Sequence, residues 1–231
     1  MIRNKITAIT LISILSVSIF SPAMAKKAAD IPQVTIDGLE LVNQTRSSVV
    51  YAKPGATLAG YQRIKLLDAA VAFKKNWERG QRHSASITAK RISPKDIDEI
   101  KTRLAEEFQK VFTKTLETAG YQITDEIAAD VMIVRPAIVN LDVNAPEVSN
   151  FGTTRTYVSS AGEMTLYLEL YDAATSALIL KAISRKADNS YTSHFTWANS
   201  VTNKVAADRI LKGWADILVN ALDESKKSTA E

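Results

Sequence analysis

The chain has no cysteine, only two histidines and only eight glycines among its 231 residues. Without cysteine there is no disulfide, no thiol nucleophile, no thiolate metal site and no lipid-modified N-terminal cysteine. Two histidines, His83 and His194, lie in separate polar stretches, which leaves little basis for a histidine metal site. His194 adjoins Ser193, but neighbours in sequence do not make a triad, and no nucleophile elbow is apparent. The few glycines form neither a phosphate-cradling loop nor a dinucleotide fingerprint. No catalytic residues, metal ligands or cofactor are therefore expected. No apolar run reaches the roughly 20 residues that a spanning helix needs.

What is present is ordinary for a globular protein, with 46% hydrophobic and 23% charged residues. A chain of this size can bury roughly 70% of the surface it exposes when unfolded, so it needs no staple. Residues 1–25 read as a signal peptide. Arg3 and Lys5 form its positive start, Ile6 to Phe20 its short apolar run, and Ser21-Pro-Ala-Met-Ala25 its small-residue cleavage pattern. Export to the periplasm with cleavage after Ala25 is expected, with no segment left to span the membrane. Losing Arg3 and Lys5 reduces the formal charge from +4 to +2, too little to indicate nucleic acid.

Residues 26–60 are read as a loose leader with short extended pieces, punctuated by Pro54-Gly55 and Gly60. A single α+β domain is expected over 61–223, followed by a disordered tail over 224–231. Tyr61 to Phe73 predicts a core strand with an interruption at Asp68–Ala70. Ser93-Pro-Lys-Asp96 is a helix start with a capping hydroxyl, a proline in the first turn and a reciprocal acid. From there Ile97, Ile100, Leu104, Phe108, Val111, Phe112, Leu116 and Ala119 keep the spacing of one apolar stripe, and Gly120 closes it. Asp130 to Val143 is the longest strand-like run, with a bulge or an edge expected at Pro136. In Glu163 to Tyr171 the residues Met164, Leu166, Leu168 and Leu170 alternate with Thr165, Tyr167, Glu169 and Tyr171. Asp172 to Ser176 then turns the chain into a second strand over Ala177–Arg185. A last helix is expected over Asn199–Asp223, on Val201, Val205, Ile210, Leu211, Trp214, Ile217, Leu218 and Leu222. Assembled, these elements predict a mostly antiparallel sheet of four or five strands with two long helices on one face.

Three groups of residues are candidates for binding. Lys74, Lys75, Arg79 and Arg82 open a basic stretch that continues to Lys90 and Arg91 against one acid, Glu78. It reads either as a dock for an anionic lipid or glycan, or as a solvated loop. Phe151, Arg155 and Tyr157 lie in a polar stretch over 145–162, which is either a recognition loop or a hairpin connection. Tyr167 and Tyr171 share the polar face of a strand, as a stacking platform or as cross-strand supports.

The order of the later elements carries a family resemblance. A strand with an Asp172-x-x-Thr175 turn is followed by a Leu178-Ile-Leu180 return, then Trp197, then a helix holding Trp214-Ala215 and Leu218. Gly38-Leu39, Tyr61 and Ile92-Ser-Pro-Lys-Asp96 fit the same arrangement upstream. From Gly38 to Asp223 the chain resembles domain-of-unknown-function family 3313, a set of Gram-negative envelope proteins of which many are lipoproteins. The resemblance implies an envelope address and no reaction. It implies no lipid anchor here, since the cysteine is missing, and Ser176 stands where the family's turn has glycine. Residues and resemblance together point to a non-enzymatic binding or accessory protein whose partner is an envelope protein, an anionic lipid or a glycan. An envelope hydrolase with a site formed only in the fold, or a self-assembling structural protein, are the other readings.

Overall fold

The computed structural model describes residues 31–84, 92–143, 157–158, 162–187, 196–197 and 200–230. The signal-like segment, Lys90 and Arg91, Phe151, Arg155, Asp188 and His194 lie outside them, as do the side chains of Arg82, His83 and Tyr157.

Ten strands and three helices make up the regular structure of the described residues. The first strands are β1 (Glu40–Gln44), β2 (Ser48–Ala52), β3 (Arg63–Leu66) and β4 (Ala70–Phe73), followed by helices α1 (Trp77–Ser84) and α2 (Pro94–Thr118). Then come β5 (Gln122–Ile123), β6 (Val131–Val143), β7 (Tyr157–Val158), β8 (Gly162–Asp172), β9 (Leu178–Ala187), β10 (Thr196–Trp197) and α3 (Ser200–Ala230). Eight strands form one sheet in the order β1-β2-β9-β8-β6-β3-β5, with β4 also paired to β6, while β7 and β10 pair separately.

The fold is α+β as expected, but the sheet exceeds four or five strands. The short extended pieces before residue 60 are the cause: β1 and β2 form an antiparallel pair that extends the sheet beyond β9. It is also less uniformly antiparallel than expected, because β3 and β4 both run parallel to β6 and β5 runs parallel to β3. The expected Tyr61–Phe73 strand is split in two, and Pro136 shows why. Pairing to β6 ends at Leu66–Val134 and resumes at Ala70–Ala137, so Leu67-Asp68-Ala69 faces Arg135-Pro136 without a ladder. A proline has no N–H to give there. On its other side Pro136 stays in register with Leu168, and the bulge of β6 lies farther on, at Asn140 with φ 52°.

Helix α2 starts and stops where its residues dictate. The Asp96 amide donates to Ser93 Oγ at 3.2 Å and the Ser93 amide to Asp96 Oδ2 at 2.8 Å, closing the capping box. At the other end Tyr121 N donates to Leu116 O and Gly120 N to Glu117 O, each at 3.0 Å, with Gly120 at φ 89°. That is a Schellman closure, in which glycine takes the left-handed position. Leu104, Phe108, Phe112 and Leu116 are buried, and the two phenylalanine rings stack at 3.9 Å. Full burial of such a side chain contributes about 1.5–3 kcal/mol.

Helix α3 lies beside α2, joined by Lys204 to Glu107 at 2.7 Å. Trp214 Nε1 donates to Ser184 Oγ on β9 at 3.0 Å, which sets α3 on the sheet. Its large buried residues are Ile210, Leu211, Trp214, Leu218 and Leu222, with Ala206 and Ala215 buried among them, whereas Val205 and Ile217 of the expected stripe are exposed. The helix continues past Asp223 to Ala230, held by Tyr121 Oη on Asp223 at 2.7 Å and by Ser225 Oγ, which accepts from the Leu58 amide at 2.9 Å. Both helices cover the same sheet face, with Ile64, Leu66, Met132, Val134, Ile138, Met164, Leu166, Leu168 and Leu170 in one core with them. No described helix is long and apolar enough to cross a membrane.

Candidate functional site on the outer sheet face

Strand alternation places every second residue of β8 away from the helices: Glu163, Thr165, Tyr167, Glu169 and Tyr171. The register of the neighbouring strands then decides what meets them. Arg135 of β6 and Lys181 of β9 both stand directly opposite Glu169, and Tyr51 of β2 stands opposite Lys181. One carboxylate therefore lies between two cations in a row that crosses four strands.

The geometry is tight at the centre. Tyr167 Oη donates to Glu169 Oε1 at 3.1 Å and Tyr171 Oη to Glu169 Oε2 at 2.7 Å. Lys181 Nζ lies 3.7 Å from Glu169 Oε1, and an Arg135 guanidinium nitrogen lies 3.5 Å from Oε2. The side chains of Glu169 and Lys181 are 12% and 13% exposed, so this pair sits largely out of water on a face that bears no helix core. Arg135 is 64% exposed, so the guanidinium is the open edge of the group.

Asp37 shields the other edge. The turn Thr35–Leu39 is tied by Gly38 N to Thr35 O at 3.0 Å and by the Leu39 amide to Thr35 Oγ1 at 3.1 Å. It brings Asp37 within 2.6 Å of Lys181 Nζ. Leu39 and Tyr51 are buried beside it. The bond to Asp37 holds the Lys181 ammonium well above the usual lysine value. Burial, and then the bond to Glu169, push the Tyr171 phenol upward. Both groups are fixed in their neutral-pH forms, and the surface behaves as a permanent pattern of charge and hydroxyl.

A second, more exposed ionic group closes the far end of the same strand. Glu163 receives Arg185 of β9 and approaches Lys74 Nζ at 3.7 Å, while Lys74 donates to Asp142 at 2.8 Å. The bond to Asp142 raises the Lys74 ammonium above its ordinary value. Trp77 anchors the basic stretch to this end, stacked on Phe73 at 4.0 Å with Nε1 donating to Val143 O at 3.3 Å. Between the two ionic groups lie Tyr167, Ile183 and Val139, all half-buried.

Of the residues singled out in the sequence, the structure brings Tyr167 and Tyr171 together on Glu169 and sets Lys74 on the same strand face at Glu163. Lys75 and Arg79 are exposed beyond it. Sequence reasoning missed Glu169, Arg135, Lys181 and Asp37. The only signal for them was the position of Glu169 between two tyrosines on an alternating strand; the cations require the register. Among the described residues no three acids or histidines converge on a possible metal position.

A family model described as "Protein of unknown function (DUF3313)" matches residues 37–218. No curated protein matches the chain. Among solved structures, the PelC dodecamer from Paraburkholderia phytofirmans is 11% identical, with a TM-score of 0.36 over 71% of this chain and 93% of that one. A protein from Xanthomonas campestris of the DUF330 family is 10% identical, with a TM-score of 0.38 over 78% and 94% of the two chains. A minor lipoprotein from Acinetobacter baumannii is 6% identical, with a TM-score of 0.30 over 69% and 91%.

Proposed function

We propose, from the premise that this chain belongs to the DUF3313 family of proteins of unknown function, that it is an exported, non-enzymatic binding or accessory protein of the cell envelope. The observation that carries this reading is the outer sheet face, where Arg135, Glu169 and Lys181 form a crossing row with Tyr167 and Tyr171 bonded to its centre. A sheet face turned only to water is well served by short polar side chains. Here five long side chains are held in one arrangement, with half-buried Ile133, Val139 and Ile183 around them. Rigid tyrosines, an exposed arginine and an apolar surround are the composition that protein interfaces favour. The reading of residues 1–25 as an export signal places the partner in the envelope.

A photo-crosslinking residue introduced at Ile183, inside the face, and at Lys114, on the exposed side of α2, tests the proposal in living cells. Reproducible capture of one envelope component from position 183 and not from position 114 is the expected result. Equal, nonspecific capture from both positions rejects it.

A further inference from the structure

Large apolar side chains left in water are few in this fold and are unevenly spread. Among the described residues six are exposed, and three of them, Val34, Ile36 and Val42, fall on the Thr35–Leu39 turn and the backbone on either side of it. Of the rest, Ile127 stands alone in a loop, and Val205 and Ile217 are more than three turns apart on α3. Scattered singly such residues need no explanation, but a group of them marks a contact surface.

The turn holds this group outward. Val34 bridges to Glu40, Leu41 N donates to Gln33 O at 2.8 Å, and Thr35 N donates to Leu39 O at 2.8 Å. Leu39 is buried and pins the base of the turn, while Ile36 near its apex is fully exposed. The carboxylate of Asp37, beside it, is drawn back to Lys181 on the sheet at 2.6 Å. The amides of Gly38 and Leu39 are already bonded to Thr35. The turn therefore offers an aliphatic side chain with its acid withdrawn and its neighbouring N–H groups satisfied. A segment entering the edge of a bilayer needs this, since an unpaired N–H is costly there.

The composition favours lipid over protein. Protein interfaces are enriched in aromatic residues, methionine and arginine, and residues 32–44 contain none of these. Glu40 is exposed on β1, but Lys26 and Lys27 outnumber it a few residues upstream in the sequence. Their sign is the one that anionic head groups attract. We propose that residues 33–42 form a peripheral membrane-contact tip, with Ile36 entering the head-group region of an anionic phospholipid bilayer and Val34 and Val42 at its margin. This surface is distinct from the outer sheet face, and the test below leaves that face unchanged.

Every described element lies within residues 32–231, which form one compact unit with its own core, so the chain from Lys26 onward is the test protein. It is mixed with vesicles of phosphatidylethanolamine and phosphatidylglycerol. In cosedimentation Ile36→Ser should weaken binding about tenfold, the loss expected when one such side chain returns to water. Ile127→Ser, at an isolated exposed position, should leave binding unchanged. Because the chain has no cysteine, Ile36→Cys and Ile127→Cys each accept a single environment-sensitive dye. The dye at 36 should shift to the blue on the vesicles, and the dye at 127 should not. Wild-type binding no stronger than that of Ile36→Ser overturns the proposal, as does an equal dye response at the two positions. A blue shift at 36 that grows with protein concentration and needs no vesicles also overturns it, and assigns the tip to a second copy of the chain.

Discussion

Glu169 and Lys181 face each other across β8 and β9 with carboxylate and ammonium 3.7 Å apart, and both side chains are nearly closed to water. Removing Glu169 leaves Lys181 with Asp37 alone, at 2.6 Å, and removing Lys181 leaves Glu169 with Arg135 and the two tyrosines. Glu169→Leu is expected to cost about 1–3 kcal/mol, because two half-buried tyrosine hydroxyls lose their shared acceptor while Lys181 keeps Asp37. Glu169→Leu combined with Lys181→Met should cost less than the sum of the two single changes, with a coupling of about 1 kcal/mol or more in urea unfolding. Strict additivity would show that the row is not an energetic unit.

Tyr61 and Asp172 couple stability to pH at both ends of the scale. Tyr61 Oη donates to Asp172 Oδ2 at 2.8 Å, and the Thr175 amide and hydroxyl donate to Oδ1 at 2.7 and 2.6 Å. The Thr175 bonds, aided by Tyr61, hold the Asp172 carboxyl below the ordinary value. The unfolded chain therefore takes up that proton first, and the contribution of Asp172, full above about pH 4, is lost as pH falls through its folded value. Burial, and then the bond to Asp172, push the Tyr61 phenol up to about 12. Its contribution is full below about pH 10, the unfolded value, and is lost as pH rises through about 12. In thermal melts Tyr61→Phe should flatten the alkaline limb, and Asp172→Asn should flatten the acid limb and weaken the alkaline one. Unchanged limbs in both variants would show that other groups carry the dependence.

Gly162 cannot accept a side chain. Its φ is 146°, and a Cβ there would lie 2.2 Å from the carbonyl oxygen of Asp142, a backbone atom that moves only with β6. Gly162→Ala is expected to destabilise the protein by about 2–4 kcal/mol. Gly60→Ala, with nothing near its added methyl, should stay within about 0.5 kcal/mol of the wild type. Similar urea midpoints for the two variants would contradict the contact.

Ser176 occupies the left-handed region, with φ 56°, in the turn where the family pattern has glycine. The strain of a non-glycine residue there is of order 1 kcal/mol. Ser176→Gly should relieve it against a larger unfolded-state entropy, leaving stability level or raised by up to about 1 kcal/mol. A clear loss of stability would mean that the serine side chain makes a contact of its own.

How much could be read in advance varied with the range of the signal. Helix α2 was legible nearly to the residue, because Ser93, Asp96 and Gly120 act on backbone groups within a turn of themselves. The β8–β9 hairpin was legible because its alternation and its Asp172–Thr175 turn are equally local. β1 and β2 were not, since five-residue strands between turn residues gain their stability from pairing with β9 rather than from their own pattern. Val205 and Ile217 keep helical spacing in sequence, yet α3 is wide enough in apolar positions that its stripe does not say which of them meets the sheet. In the candidate site, the two tyrosines were visible and their shared acceptor was adjacent, but its two cations were not.

By itself the sequence determined the export-like start, the α+β class, the family, the two long helices and the outward set of β8, all through periodicity, caps and turns that act over a few residues. Only the tertiary structure decided the eight-stranded mixed sheet, the split of β3 from β4 opposite Pro136, and the row Arg135, Glu169 and Lys181. Those features depend on which strands become neighbours and in what register. Sliding β9 by one residue against β8 would move Lys181 to the helix side and leave Glu169 with Arg135 alone.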